Sequence, residues 1–352
     1  MNMRWKIALV ALAPLAGVLL AELAVRAFHV GPIPSPGGEG DIARATGDPA
    51  LRVENIPGGW MRTIYFDRAR NVVKTVEAHV NAQGFRGPEV ALEKPPGTFR
   101  IACLGDSQTF GHGVGDDESW PANLAACLHE RLPGRSLEVL NCGVGGFETE
   151  EELALYEKRV RAFHPDLVLL GFFLNDTAVP GATIESLDST QSKWVRVLAP
   201  GQHSGFLPWL RAHLRIVNLA CDWEFRRLTL SRWVEQRAAL FAPDFQGWIR
   251  VQTAMKRFRD LQQQDGGRFA VVLVPLLMRQ GSVLLSSEPY ATVARFLAAE
   301  SIPCFDPEPE FAGVEDVDAL RVHERDLHNN PEAQRRIGRG TGRWLLEQHL
   351  LP

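Results

Sequence analysis

The chain is predicted to be an α/β protein, a three-layer α/β/α sandwich built on a parallel sheet. Three observations lead there. Short apolar runs alternate with helical stretches from Arg100 onward, the rhythm of βα units rather than of hairpins. Asp166–Phe173 is apolar almost throughout, as a strand covered on both faces requires. Polar turns follow the runs at Gly105, Asn141 and Asn175, where open α/β sheets present residues to ligands.

Five strands are expected: Ile101–Leu104, Leu137–Asn141, Asp166–Phe173, Phe269–Leu277 and Ile302–Phe305. Trp120–Leu132 has helical periodicity and stops at Pro133-Gly134, after a start near Asp117–Ser119. Further helices are expected at Glu150–Phe163, around Tyr290–Glu300 and at Asn330–Leu350. Ala178–Gln264 breaks the rhythm and holds Trp194, Trp209, Trp223, Trp233 and Trp248, five of nine tryptophans. It reads as a helical insertion, with a lid or an aromatic platform for sugars or acyl chains as functional alternatives.

Ahead of the sandwich, Arg4 and Lys6 precede the uncharged apolar run Ile7–Ala21. Continued to Val25 it makes about 28 Å of helix, close to a bilayer's hydrocarbon core. An uncleaved anchor with a cytoplasmic N-terminus is expected, the bulk of the chain lying outside the inner membrane. The alternative is a cleaved signal peptide, for which Val25-Arg26-Ala27 is a poor site. Residues 1–30 are thus anchor or signal segment, 31–47 a Pro/Gly-rich linker, 48–99 a strap or hairpin, and 100–352 the main domain with 178–264 inserted.

Composition narrows the function. A hydrophobic content of 45% with 23% charge suits a globular protein with a full core. A net charge of −4 offers no basic field for nucleic acid. Cys103, Cys127, Cys142, Cys221 and Cys304 lack metal-ligand spacing, so no metal and no cofactor are expected.

The chemistry gathers at strand ends. Ser107 stands on the Gly turn after the first strand, exposed but a weak nucleophile without a base. Asp326-Leu327-His328 supplies an acid two residues from an imidazole, a step that lets the carboxylate orient the ring while its far nitrogen faces the serine. The Ser107 and Gly146 amides with the Asn175 side chain would give three oxyanion donors. Asp106 is expected to brace the turn. His323 lacks an acid two residues upstream and reads as structural or solvated. His112 reads as a polar loop residue or part of the entrance, and Arg321 and Arg325 as solvated cations or an attraction for anionic substrates.

These residues resemble the SGNH (GDSL-type) hydrolase family in order and spacing. Gly105–Gly111 (GDSQTFG), Asn141–Gly146 (NCGVGG), Gly171–Asp176 (GFFLND) and Asp326-Leu327-His328 look like its four blocks. Ala333 and Gln334 depart from its final-helix entry, and Asn81–Gly87 looks like a lead-in of membrane-anchored bacterial members. The resemblance implies a flavodoxin-like five-stranded sandwich, Asp176 in a supporting, loop-positioning role, and acyl transfer through Ser107, His328 and Asp326.

The expected activity is a serine esterase on O-acyl, chiefly O-acetyl, esters of a small molecule or cell-envelope glycan. An O-acyltransferase using the same serine and a non-catalytic polysaccharide-assembly scaffold are the alternatives.

Overall fold

In the computed structural model, residues 3–28, 33–177, 205–221, 223–224, 239–280 and 282–352 are described. The chain forms two compact units, one of Met1–Ser35, Tyr65–Lys74 and Asp188–Glu235, the other of the remaining residues.

The larger unit is built on five parallel strands: β1 (Phe99–Gly105), β2 (Leu137–Asn141), β3 (Leu167–Phe172), β4 (Arg268–Leu273) and β5 (Cys304–Phe305). Their spatial order is 2-1-3-4-5, the flavodoxin-like doubly wound arrangement. Register is direct, with Ile101 beside Val139 and Leu167 on its two flanks. Ile101–Leu104 and Leu167–Leu170 are fully buried, which explains why these runs carry no polar alternation.

Helices α1 (Ser107–Phe110), α2 (Trp120–Arg131), α3 (Thr149–Lys158), α4 (Gln246–Gln264), α5 (Ser287–Ala299) and α6 (Pro331–Glu347) join and flank the strands. Ser119 caps α2 and Asn330 caps α6, each side chain accepting a first-turn N–H. Helix α6 packs on α2 and α3 on α4. The α6–α2 approach is close, for a Cβ at Gly338 would stand 2.3 Å from the Trp120 carbonyl oxygen.

Several boundaries differ from expectation. Helix α4 directly precedes β4 and buries Trp248, Val251, Met255, Phe258 and Leu261. It is the crossover helix between β3 and β4, so the sandwich reclaims this end of the 178–264 insertion and Trp248 is core. Residues 178–204, including Trp194, and Trp233 lie outside the described residues, and with them most of the lid reading. The 31–47 segment contains strands rather than linker alone: Gly37–Glu39 pairs antiparallel with Trp60–Phe66, and Ala43–Asp48 with Leu51–Asn55. Its glycines and three prolines suggested solvated chain, but the backbone of these two strands finds partners in neighbouring strands. Within the larger unit the strand Leu51–Asn55 is tied to the segments that follow β2, Asn55 Nδ2 donating to the Gly143 carbonyl at 2.9 Å and Arg52 pairing with Glu151.

The smaller unit contains the N-terminal helix Met3–Ala27 with Pro14 inside it, and the helix Phe206–His213. Among the described residues, no helix is long and apolar enough to cross a membrane; the side chains of residues 4–11 and 15 are outside that description. All five cysteines are free thiols, four of them buried.

Candidate active site

The sheet order places a switch point between β1 and β3, where adjacent connections leave in opposite directions and open a crevice. Ser107 follows β1 and Asn175 follows β3 on either side of it.

The serine does not sit on a bare turn. It opens α1, which Asp106 caps by accepting the Gln108 N–H at 2.8 Å. A first helical residue has an N–H with no intrahelical acceptor, so the Ser107 amide is free to face an anion beside its own hydroxyl.

The imidazole arrives on a hairpin of Arg321–His323 and Asp326–Asn329. Asp326 Oδ1 lies 2.5 Å from His328 Nδ1 and accepts the His328 main-chain N–H at 3.1 Å. His328 Nε2 lies 2.7 Å from Ser107 Oγ. A carboxylate can only accept, so Nδ1 carries the proton and Nε2 accepts from the serine hydroxyl. Burial works against the charge on Asp326, but the His328 hydrogen bond and charge outweigh it and hold the carboxyl far below its ordinary range. The arrangement can pull a proton from Ser107 and retain it on a ring whose charge Asp326 stabilises.

Asn175 Nδ2 donates one hydrogen to Asp106 Oδ2 at 3.1 Å, which leaves its second hydrogen for an oxyanion. The Gly146 loop runs alongside, since a Cβ at Gly145 would stand 4.0 Å from Ser107 Cβ. Gly146 itself has φ +76° with open space where a side chain would be, and its carbonyl accepts from Arg52 Nη2 at 2.9 Å. Asp176 accepts the Phe173 N–H and the Thr149 hydroxyl, each at 3.2 Å. It ties the loop after β3 to the start of α3.

Four features escaped the sequence reading. Arg86 is fully buried and donates to the carbonyls of Phe110, Gly111 and Val114, at 2.8, 2.5 and 2.6 Å, satisfying the C-terminal end of α1 as Asp106 satisfies its start. Its signal was the Asn81–Gly87 lead-in. Gln334 links α6 to the nucleophile's helix, accepting the Trp120 N–H at 2.7 Å and donating to the Gln108 carbonyl at 3.1 Å; its departure from the family pattern therefore reaches the serine turn. His112 packs against His328 with ring centroids 4.7 Å apart and the rings tilted by 49°, and its Nε2 stands 3.6 Å from Asp326 Oδ2. Burial, then the neighbouring His328 charge, brings its pKa down to about 4. Finally, Asp106, Asp176 and Glu152 are buried together below the serine turn. Burial raises all three carboxyls, the last two well above the carboxylate range, with repulsion from neighbouring acids adding to the rise of those two.

His112, Asp326 and His328 are also the one group of metal-capable side chains found close together among the described residues, their ligand atoms within 4.8 Å of one another. His323 Nδ1 accepts the Arg325 N–H at 3.3 Å, and Arg321 pairs with Asp318 at 3.0 Å, local contacts of the hairpin.

A chain whose doubly wound sheet brings serine, imidazole and carboxylate to one crevice falls among the α/β serine hydrolases. The model of the GDSL-like lipase/acylhydrolase family matches residues 103–336, about two thirds of the sequence, and the chain belongs to that family. Similar solved structures include an α/β hydrolase enzyme from the metagenome of Lake Arreo, Spain (14% identity, 72% of this chain, 96% of that one, TM-score 0.44). An acetylxylan esterase from Geobacillus stearothermophilus is similar at 13% identity over 70% of this chain and 93% of its own, TM-score 0.43. No curated protein matches the sequence.

Proposed function

We propose that the protein is a serine esterase in which Ser107 attacks the acyl carbon of an O-acyl ester. The observation that carries this reading is the unbroken path Asp326 Oδ1–His328–Ser107 Oγ, with contacts of 2.5 and 2.7 Å. Ser107 Oγ forms the new C–O bond as His328 Nε2 takes the hydroxyl proton. The carbonyl oxygen becomes an oxyanion held by the Ser107 and Gly146 amides and Asn175 Nδ2. Collapse breaks the ester C–O bond, His328 returns its proton to the departing alcohol, and an acyl-enzyme remains. Water, deprotonated by His328, then releases the acid and restores Ser107. Asp106 and Asp176 support the donors without touching substrate.

The reading extends to a membrane-attached enzyme acting outside the inner membrane, with an acetylated glycan as substrate. The charged N-terminus followed by the helix Met3–Ala27 supports the attachment; the glycan follows from that location alone.

The test is hydrolysis of nitrophenyl esters from acetyl to dodecanoyl together with fluorophosphonate labelling, for the native chain and Ser107→Ala. Turnover and labelling that both vanish in a folded variant support the esterase, and the preferred chain length separates acetyl from lipid esters. Labelling without turnover points to transfer onto another acceptor. A folded native protein that neither labels nor turns over overturns the assignment and favours the scaffold.

A further inference from the structure

The smaller unit holds a polar joint in the helix Met3–Ala27, just past the apolar run Ile7–Ala21. Glu22 is buried near the end of Met3–Ala27. Its Oε1 accepts the Arg215 N–H at 2.9 Å and Oε2 the Ile216 N–H at 3.0 Å, while Arg26 Nε donates to Oε1 at 2.6 Å. Arg26 Nη2 also donates to the His213 carbonyl at 2.8 Å. One acid and one base, a helical turn apart, therefore pin the end of Phe206–His213 and the start of the helical turns at 215–221 to the same stretch of the N-terminal helix.

What the pinned segment presents is unusual for a surface in water. Phe206 and Trp209 are 75% and 55% exposed, and they stack with His213 in a row, ring centroids 6.3 and 4.5 Å apart. Their spacing of three and four puts them on one helix face. On the N-terminal helix, Leu12, Val18, Leu19, Leu20 and Leu23 are also about half exposed or more. Residues 205–221 include Arg211 and Arg215 and no carboxylate, so the segment carries the charge that anionic headgroups attract. Aromatic rings with polar edges concentrate at the membrane–water boundary, and an amphipathic helix with basic residues lies along it.

We infer that Phe206–His213 lies along the headgroup layer of a lipid bilayer with its Phe206–Trp209–His213 row turned toward the acyl chains, held at that depth by Glu22 and Arg26. The inference rests on the membrane attachment proposed above. It also accounts for a carboxylate next to the apolar run, because Glu22 is satisfied by the segment it holds rather than left bare in hydrocarbon.

The full chain, reconstituted in phosphatidylcholine vesicles containing phosphatidylglycerol, provides the test. Tryptophan emission is compared between the native chain and Trp209→Tyr, with quenching by lipids brominated high on the acyl chain and by aqueous acrylamide. Trp209 should contribute a component quenched by the bromolipid and sheltered from acrylamide, and that component should be absent in the variant. Glu22→Gln should leave flotation with vesicles intact while speeding amide exchange across 206–216. Bromolipid quenching that is identical in the native chain and Trp209→Tyr overturns the inference. So does a Trp209 sheltered before lipid is added, in proportion to protein concentration, since a second copy would then cover the row. A chain that does not float with vesicles overturns both the attachment and this inference, whereas floating with Trp209 open to acrylamide overturns this inference alone. Ester turnover, followed in the same samples, keeps either failure separate from that of the esterase.

Discussion

Arg86 and Gly111 are fitted to one another. The guanidinium donates to the Gly111 carbonyl, and a Cβ at position 111 would stand 2.9 Å from Arg86 Nη1 and 2.8 Å from Ser119 Cβ. Gly111 also has φ +84°, where a side chain is strained whatever the space. The clamp on α1, the helix that Ser107 opens, thus originates 17 residues before the first residue the family model matches.

Arg86→Lys keeps the charge but not the planar fork. Steady-state kinetics should show kcat reduced roughly 10- to 100-fold with KM nearly unchanged, the loss expected when positioning of a reacting group is degraded. Unchanged kcat in a folded variant would show that α1 holds Ser107 unaided. Gly111→Ala should lower stability by roughly 1–3 kcal/mol in chemical denaturation.

Asp326→Asn retains the shape of the acid while removing its charge and favouring the wrong ring tautomer. A loss of about 10⁴ in kcat is expected by analogy with the serine protease template. Fluorophosphonate labelling should slow in parallel, and a loss under tenfold would remove Asp326 from the proton path.

Asn175→Ala deletes one oxyanion donor. The expected cost is about 10²–10³ in kcat, with far-UV circular dichroism unchanged. A loss confined to KM would move Asn175 from transition-state stabilisation to substrate binding.

Two groups, the half-buried His112 and the buried Glu148, tilt stability with pH in the same molecule but in different windows. His112 titrates near 4 in the folded chain and near 6.5 when unfolded. Between these values the unfolded chain binds more protons, so stability falls as pH drops through this window, by up to ~3 kcal/mol. His112→Phe should flatten that acid limb in melting curves. Glu148 is buried with Oε2 unpartnered, and burial followed by repulsion from Glu151 raises its carboxyl to about 8. Here the folded chain holds the extra proton, so its penalty grows as pH rises from the unfolded carboxyl value toward 8. Glu148→Gln should therefore stabilise by roughly 1–3 kcal/mol at the alkaline end and by little near pH ~4. A gain equal at both ends would mean that ionisation is not the cause.

The sheet was legible because each buried strand is a short, unmistakable apolar run, and Leu137–Asn141 falls on the observed residues. Of the candidate site, the contacts from Asp326 through His328 to Ser107 were legible because each of these residues follows a turn signal in order. What stayed hidden depends on contacts between distant segments. Nothing near Arg86 in sequence says that its side chain turns toward three carbonyls of another loop, and the His112–His328 ring contact exists only once two loops close. Glu152 stands in a run of three acids that open α3, a pattern that suits a solvated face, yet it is fully buried. The tryptophans drew α4 into the insertion, although Trp248 is simply core.

Ser107 and His328 are 221 residues apart along the chain. During synthesis the proposed nucleophile therefore emerges long before its proposed base, and until the hairpin that carries His328 folds back it is an ordinary alcohol. On that reading a nascent or truncated chain that holds β1 to β4 without the hairpin still carries a harmless serine.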